Sequence, residues 1–222
     1  MSTPNPDILP SDTIRRALGE FQLTPNDQQV FYIQQYMKLL LAWNDKVNLT
    51  AIRDPLEILH RHFCESMYAA TAIPIENGRL ADVGTGAGFP GIPLKIMRPE
   101  LEVLLIESNM KKATFLAEVL RNIELPATRV LVSRYEELGE EIVPLDFVCS
   151  RAVGDFGPFL AWAASQHVAA KQVILWIGGR DLDEVRKVGS AWQWRDPIAV
   201  PNSLRRYLLV GAAKTFSVGP TT

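Results

Sequence analysis

The sequence predicts an α/β fold with a seven-stranded, mostly parallel sheet, helices on both of its faces and a helical extension ahead of it. Three observations lead to this prediction. After Asn77-Gly78, short apolar runs alternate with amphipathic stretches, as in the strand–helix units that build parallel sheets. From Ser11 to about Ala72 the apolar residues recur at helical spacing instead. The last two apolar runs are separated only by Pro201-Asn202-Ser203, which predicts an antiparallel hairpin because a parallel pair needs a long crossover.

Two segments of the N-terminal part begin like helices. Thr24 is placed to cap a helix whose first turn holds Pro25, and residues 54–57 (DPLE) have the spacing of a capping box. The apolar stripes that follow are Val30, Ile33, Met37, Leu40 and Leu41, and then Ile58, Leu59, Phe63 and Met67. We therefore expect a helical extension over residues 1–75 and one compact sheet domain over residues 76–222.

The sheet domain contains seven candidate strands and four candidate helices. The strands are expected at Arg79–Val83, Glu102–Ile106, Arg129–Val132, Asp146–Ser150, Gln172–Ile177, Trp194–Val200 and Arg206–Ala212. The helices are expected at Ile92–Met97, Lys111–Asn122, Phe156–Ala170 and Asp181–Val188. Strand and helix alternate up to the terminal hairpin, as in a sheet that is covered on both faces.

Length and composition narrow the class of protein. A chain of 222 residues buries about 70% of its unfolded surface, so it needs no disulfide or metal to fold. Its net charge of -2 excludes a protein that coats nucleic acid by overall charge, but it allows a local basic patch. Cys64 and Cys149 lack metal-ligand spacing and indicate a reducing compartment. With no apolar run of about 20 residues and no signal-like start, we expect a soluble, cytoplasmic protein without a metal site.

A loop with alternating glycines follows the first strand. Residues 80–88 read LADVGTGAG, and glycine lets a backbone approach a ligand closely and adopt positive φ. Asp82 ends the first strand, where an acid can orient the loop or accept from a cationic ligand. Glu107 ends the second strand, where an acid accepts from ribose hydroxyls. A tight turn in any α/β protein would look similar, so the loop indicates a cofactor only together with these acids.

Two cofactors fit this pattern. Residues 86–91 (GAGFPG) spell the dinucleotide fingerprint, whose pyrophosphate lies at a helix N-terminus. S-adenosylmethionine has no phosphate and needs an acid before the glycines, glycines at every second position and an acid for the ribose. Those features are supplied by Asp82, Gly84, Gly86, Gly88 and Glu107. The terminal hairpin also favours a methyltransferase, so a nicotinamide-dependent oxidoreductase is the less favoured alternative.

Several motifs together resemble one family. They are Asn48-Leu49-Thr50, Arg53-Asp54-Pro55, Arg61-His62-Phe63, residues 82–91 (DVGTGAGFPG), Ile92-Pro93, Arg98-Pro99 and Ser150-Arg151-Ala152. Over residues 24–214 the chain resembles the small-subunit ribosomal RNA guanine-N7 methyltransferases, first named glucose-inhibited division protein B. The resemblance implies a Rossmann-like class I methyltransferase fold with S-adenosylmethionine as cofactor. It also implies methylation of one guanine in the decoding-region hairpin loop of 16S rRNA, on the small ribosomal subunit or an assembly particle.

The resemblance also assigns residues by position. Gly84 and Phe89 match cofactor contacts, and Tyr135 and Glu136 match a pair beside the adenine. Arg151 matches an arginine at the cofactor site. Each has an ordinary structural alternative, such as a lid over the core for Phe89 or a surface ion pair for Arg151.

Two positions depart from the family pattern. Members have a lysine-glycine step after the fifth strand, whereas this chain reads Trp176-Ile177-Gly178-Gly179, with Arg180 close by. Members have an acid-arginine-histidine step near the C-terminus, whereas this chain reads Arg205-Arg206-Tyr207. One expected basic contact is therefore missing and one positive charge is added, which leaves the role of the second position open.

RNA contact is expected from local basic groups that flank the strand-end face. They are Arg53, Arg61, His62, Lys111, Lys112, Arg134, Arg180, Arg205 and Arg206. Any one of them could instead be a solvated surface charge or, for His62, a structural support. Since the chain is slightly acidic, we expect a pre-ordered RNA–protein particle rather than naked RNA as the substrate, as the resemblance also implies; the sequence alone does not decide between the two. A noncatalytic RNA-binding or assembly factor remains a second alternative, and we expect a monomer.

Methylation at guanine N7 requires no catalytic base, because N7 carries an in-plane lone pair and no proton. The main task is to align N7 with the methyl group, and the base is expected to leave its stack to reach the site. We therefore expect no indispensable acid–base residue, and the acceptor that reads the guanine edge is not identified by the sequence. Cys149 lies where pyrimidine-C5 methyltransferases carry a catalytic cysteine, although a buried strand cysteine is the simpler interpretation.

Overall fold

The computed structural model describes residues 9–151 and 153–214. The helices are α1 (Ser11–Gly19), α2 (Asp27–Val47), α3 (Pro55–Ile58), α4 (Glu65–Met67), α5 (Ala69–Ala72), α6 (Gly91–Met97), α7 (Met110–Asn122), α8 (Phe156–Ala163) and α9 (Leu182–Val188). A π-helical turn, Leu59–Cys64, joins α3 to α4. The strands are β1 (Gly78–Val83), β2 (Leu101–Ile106), β3 (Thr128–Leu131), β4 (Phe147–Ser150), β5 (Gln172–Gly178), β6 (Trp192–Trp194), β7 (Ile198–Ala199) and β8 (Arg206–Ala213).

The strands form one sheet in the order β3-β2-β1-β4-β5-β8-β6, with β7 paired to β8 as well. Strands β1 to β5 are parallel, and β8 runs antiparallel to β5, β6 and β7. This arrangement confirms the predicted α/β class and the C-terminal hairpin. The carboxyl ends of the five parallel strands therefore meet at one edge, where open α/β sheets bind ligands.

The sixth strand differs from its prediction. A single strand was expected over Trp194–Val200, but β6 ends at Trp194 and β7 begins only at Ile198. Pro197 lies between them and has no N–H to donate to a ladder, so the strand is interrupted. The described sheet therefore has eight strands rather than seven.

Two helix ends also correct the sequence-based expectations. The cap of α2 is Asn26, not Thr24: the Asn26 side chain accepts from Gln29 N at 2.8 Å, and the Gln29 side chain accepts from Asn26 N at 2.9 Å. This reciprocal pair satisfies two N-terminal donors, which a cap at Thr24 would leave open. Helix α8 ends at Ala163, seven residues before the expected Ala170.

The N-terminal helices share their core with the sheet. One buried apolar cluster joins side chains of α1 and α2, such as Ile14 and Ile33, to Leu80 of β1 and Val103 of β2. A second cluster packs the opposite face of the sheet against α8 and α9. Helices therefore cover both faces, as predicted. Within the described ranges, no helix has the length and hydropathy needed to cross a bilayer.

Candidate active site

The glycine loop presents bare backbone at the end of β1. Gly84, Gly86 and Gly88 have φ values of 65°, 61° and 96°, in the left-handed region that favours glycine. A Cβ at Gly84 would meet no atom of the described residues within 4 Å, so space lies open among them in front of this residue. The loop can therefore receive a ligand at Gly84 in direct contact with the main chain.

Asp82 holds the glycine loop from within. Its carboxylate is fully buried, and Oδ2 accepts from Thr85 Oγ1 at 2.6 Å and from Gly91 N at 2.7 Å. Burial raises the pKa of Asp82 to about 7, although the bonds from Thr85 and Gly91 act in the opposite direction. Asp82 was expected either to orient the loop or to accept from a cationic ligand. Its hydrogen bonds to Thr85 and Gly91 match the first role.

The start of α6 has no free donors for a phosphate. Gly91 N donates to Asp82, Ile92 N donates to Gly88 O at 2.9 Å, and Pro93 has no N–H. A dinucleotide needs these N–H groups for its pyrophosphate. Residues 86–91 (GAGFPG) match the dinucleotide fingerprint in sequence, but the helix that follows them offers no free N–H groups to a pyrophosphate.

Glu107 joins the glycine loop to the segment that follows β2. Its Oε2 accepts from Gly86 N at 3.0 Å, and its Oε1 accepts from Asn109 N at 2.8 Å. Each carboxylate oxygen has a second lone pair, and Glu107 lines the adjoining pocket. The acid is therefore positioned by the main chain and can still accept from ligand hydroxyls.

A pocket of about 420 Å³ lies at the strand ends beside Gly84. Of the nine residues predicted to bind the cofactor, Gly84, Glu107, Tyr135 and Glu136 line it. The open main chain at Gly84, the acceptor at Glu107 and the aromatic side chain of Tyr135 fit the ribose and base of an adenosyl cofactor. Burial raises the pKa of Tyr135, so its phenol is neutral at pH 7.

Phe89 belongs to the core rather than to this pocket. Its ring stacks on Tyr36 with centroids 5.3 Å apart and on His62 with centroids 4.9 Å apart. The Tyr36 hydroxyl donates to Ala87 O, so α2 is bonded to the glycine loop itself. Phe89 thus packs between the N-terminal helices and the glycine loop and covers the core at this point.

Arg151 connects the motifs of the N-terminal part to the end of β4. Its guanidinium donates to Arg61 O at 2.9 Å and to His62 Nδ1 at 2.8 Å. Because arginine only donates, Nδ1 is the acceptor and the His62 proton lies on Nε2, which donates to Thr50 Oγ1 at 2.7 Å. The Asn44 side chain in turn accepts from Thr50 N and donates to Thr50 O, both at 2.9 Å.

Tyr36 and Asn44 support the site through hydrogen bonds to Ala87 and Thr50, and neither was predicted from the sequence. Both are buried in α2, on the apolar face that also carries Ile33 and Leu40. A polar group on an apolar helix face is the signal that could have identified them, because buried polar groups need partners.

Arg151 faces a second pocket, of about 370 Å³, rather than the first. This pocket is also lined by Glu65, Trp176, Gly178, Arg206 and Tyr207. A smaller cavity of about 140 Å³ shares Val153 with the first pocket and Arg151, Trp176 and Gly178 with the second. The three spaces are neighbours along the carboxyl edge of the sheet, and we call them together the cleft.

Four of the predicted RNA contacts have protein partners. Arg53 pairs with Asp45 at 2.5 Å, Arg61 lies 3.5 Å from Glu65, and Arg206 contacts both Glu65 oxygens at 2.5 and 2.6 Å. The His62 ring is used in the network with Thr50 and Arg151.

The remaining candidates lie around the cleft. Arg134 lines the first pocket and Arg205 lines the second. Lys111 and Lys112 begin α7, directly after β2, and Arg180 is exposed just after β5. Their contact with RNA stays a prediction.

Cys149 is fully buried, in line with the simpler interpretation of this residue. Burial, together with the neighbouring Asp82, raises the pKa of its thiol well above the usual range. A reactive cysteine needs the opposite shift, so Cys149 is not suited to a covalent mechanism.

The neutral state of His62 leads to a pH prediction. Burial and the cations Arg151 and Arg61 lower its pKa from 6.5 to about 3. Because the unfolded chain takes up this proton and the folded chain does not, stability is lost as the pH falls from about 6.5 toward 3. Relative to His62→Gln, the wild-type free energy of unfolding should fall by about 1.4 kcal/mol per pH unit between pH 6 and 4.

Urea unfolding at each pH measures this difference. The exposed His167→Gln is the matched control. A wild-type-minus-variant difference that does not change with pH would show that His62 is protonated in the folded protein.

Comparisons with known proteins agree with this architecture. A family model described as rRNA small subunit methyltransferase G matches residues 29–203. The ribosomal RNA small subunit methyltransferase G of Pelotomaculum thermopropionicum is 36% identical over 197 residues, which cover 79% of this chain and 82% of that protein. The protein of the same name from Xanthomonas euvesicatoria pv. vesicatoria is 39% identical over 169 residues, 75% of this chain and 78% of that protein.

Solved structures of lower identity share the fold. A SAM dependent methyltransferase from Aquifex aeolicus has a TM-score of 0.59 at 13% identity and covers 75% of this chain and 97% of its own. Ribosomal protein L11 methylase from Lactobacillus delbrueckii subsp. bulgaricus has a TM-score of 0.55 at 17% identity, covering 70% and 79%. The family match spans most of the chain, and this protein therefore belongs to the rRNA small subunit methyltransferase G family.

Proposed function

We propose that this protein transfers a methyl group from S-adenosylmethionine to N7 of one guanine in the decoding-region hairpin loop of 16S rRNA. The row of neighbouring pockets along the strand ends is the observation that carries the proposal. Its first pocket has the open backbone and the acid that an adenosyl cofactor needs, and its second pocket lies alongside at the ends of β4 and β5. When bound, S-adenosylmethionine supplies an electrophilic methyl group in this cleft.

The residues of the chain act by positioning rather than by proton transfer. Asp82 and Glu107 fix the two sides of the glycine loop through four hydrogen bonds to Thr85, Gly91, Gly86 and Asn109. Guanine N7 has no proton to remove, so a rigid cleft that aligns N7 with the methyl carbon is sufficient. The state of His62 agrees with this, because both of its ring nitrogens are engaged, one by Arg151 and the other by Thr50, and neither is left to act as a base.

The partner in this proposal is a small ribosomal subunit or an assembly particle, bound by a cytoplasmic monomer. The basic residues around the cleft are the proposed RNA contacts, on a sheet domain, residues 76–222, extended by the helices of residues 1–75. Because these residues neutralise phosphates, affinity for RNA should decrease as salt increases.

The function is tested by incubating the protein with labelled S-adenosylmethionine and small subunits that lack methylation. Mapping by borohydride reduction and aniline cleavage should find one N7-methylated guanine in the decoding-region hairpin loop. Parallel reactions on naked 16S rRNA compare the two substrate forms. A product with the label on another base, or no product on either substrate, would overturn the proposal.

The two rival functions are separated by binding and turnover. A nicotinamide-dependent oxidoreductase would bind the dinucleotide and not S-adenosylmethionine, which the occupied N-terminus of α6 argues against. A noncatalytic assembly factor would bind RNA without turning over the methyl donor. Calorimetry with both cofactors and the methylation assay distinguish these outcomes.

Removal of the Glu107 carboxylate tests the ribose assignment. Glu107→Ala leaves Gly86 N and Asn109 N without their acceptor and removes the acceptor proposed for the ribose. We expect binding of S-adenosylmethionine to weaken by about 1–3 kcal/mol, measured by calorimetry. The exposed Glu124→Ala serves as control, and an affinity equal to wild type in Glu107→Ala would contradict the assignment.

A further inference from the structure

The second pocket contains a buried carboxylate that the methyl-transfer chemistry leaves unused. Glu65, at the start of α4, is only 5% exposed and lines this pocket. Burial of a carboxylate is costly unless it is paired, and burial raises the pKa of Glu65 to about 7 while Arg151 and Arg61 act against the rise. A carboxylate kept at such a position needs an explanation.

The known partners of Glu65 leave it capacity for a further ligand. One nitrogen of Arg206 contacts both carboxylate oxygens, at 2.6 and 2.5 Å, and Arg61 Nε lies 3.5 Å from Oε1. Each carboxylate oxygen has two lone pairs, so this arrangement leaves acceptor positions that can point into the pocket. The indole of Trp176 and the ring of Tyr207 supply apolar walls beside it.

The orientation of a guanine during N7 methylation follows from its covalent structure. N7 and O6 lie on one edge of the base, and the N1–H and the 2-amino group lie on the opposite side of the purine from N7. If N7 faces the first pocket, the N1–H and 2-amino donors point along the cleft toward the second. Two adjacent donors match the two oxygens of a carboxylate.

Resting on the proposed function, we infer that Glu65 is the specificity-determining residue that accepts from the N1–H and 2-amino group of the target guanine. Arg206 and Arg61 hold the carboxylate in place for this purpose. Adenine has no donor at N1 and no 2-amino group, so it would leave Glu65 unpaired. The pocket thereby selects guanine by hydrogen bonding rather than by shape alone.

Among the described residues that line the two inner spaces, Asp181 is the other carboxylate. Its Oδ2 accepts from Gly178 N at 3.2 Å, which closes the turn after β5. Asp181 lines the smaller cavity and not the second pocket. It is therefore the rival reader that an experiment has to separate from Glu65.

The test uses small subunits reconstituted around 16S rRNA that carries guanosine or inosine at the target position. Inosine keeps N7, O6 and N1–H but lacks the 2-amino group. At pH 8.5, where Glu65 is ionised, wild-type kcat/KM should favour guanosine over inosine by about 10- to 100-fold, the effect of one hydrogen bond to a charged acceptor. In Glu65→Gln this ratio should fall by about 10-fold or more, with S-adenosylmethionine affinity within about twofold of wild type.

Matched variants separate recognition from structure. Glu57→Gln removes an exposed acid beside the same Arg61 and should leave the ratio unchanged. A merely structural Glu65 would lower kcat/KM for both substrates equally, and an unchanged ratio in Glu65→Gln would overturn the inference. Loss of the ratio in Asp181→Asn instead would assign the role to that residue and also overturn it.

The wild-type measurement keeps the inference falsifiable if Glu65→Gln does not fold. Equal wild-type rates on guanosine and inosine subunits would refute a reader of the 2-amino group without any variant. Failure of the wild type to methylate guanosine subunits would instead refute the proposed function, so the two failures are distinguishable.

Discussion

Replacement of Gly84 with asparagine is expected to weaken S-adenosylmethionine binding by about 100-fold or more while the fold is preserved. Gly84 has φ of 65°, and asparagine tolerates this left-handed region better than other residues with a side chain. Across residues 9–151 and 153–214, no atom lies within 4 Å of the position its Cβ would occupy, and Gly84 lines the first pocket. The new side chain would therefore fill ligand space without a clash inside the protein.

Isothermal titration calorimetry measures the affinity, and thermal unfolding checks the fold. Gly19→Asn is a suitable control, because Gly19 also has open space at its Cβ position but lies in α1, away from the cleft. A Gly84→Asn protein that binds S-adenosylmethionine like the wild type would mean that the cofactor does not approach the first glycine.

Asp82→Asn should stabilise the protein at pH 8 by up to about 4 kcal/mol, since the pKa of Asp82 rises from 3.8 to about 7 and each unit corresponds to about 1.4 kcal/mol. An acid whose pKa is raised by folding destabilises the folded state once the unfolded chain ionises. This penalty is absent below pH 3.8, grows as the pH rises, and is complete above pH 7. The amide oxygen can still accept from Thr85 and Gly91, so the loop keeps its hydrogen bonds.

Urea unfolding of Asp82→Asn and wild type between pH 4.5 and 8 tests this expectation. The difference in unfolding free energy should be small at the acidic end and largest at pH 8. Asp183→Asn, at an exposed position of α9, is the matched control. A difference independent of pH would mean that Asp82 is ionised in the folded state throughout, and calorimetry on the same variant reports whether its charge also serves the cofactor.

The sheet and the glycine loop could be predicted because they depend on local patterns. Alternating apolar runs located β1 to β5, and the spacing of Gly84, Gly86 and Gly88 indicated the loop. The cap of α2 was misplaced because Thr24 and Asn26 are both good capping residues, and only the reciprocal bond with Gln29 distinguishes them.

The second pocket could not be predicted because it depends on contacts between distant segments. Arg151 meets His62 across 89 positions of the chain, and Arg206 meets Glu65 across 141. The π-helical turn at Leu59–Cys64 adds a further shift, since it breaks the periodicity from which an exposed or buried face is deduced. Nothing in the local sequence marks Glu65 as buried.

The position of β8, last in the chain but paired with β5, determines when the two pockets of the cleft can form during synthesis. Residues of the first pocket are all translated by Pro158, whereas the second needs Arg206 and Tyr207 at the start of β8. A nascent chain released before that point would still carry Gly84 and Glu107 but would expose the unpaired edge of β5. Such fragments would combine the methyl-donor pocket with an unpaired strand edge, and we expect them to aggregate.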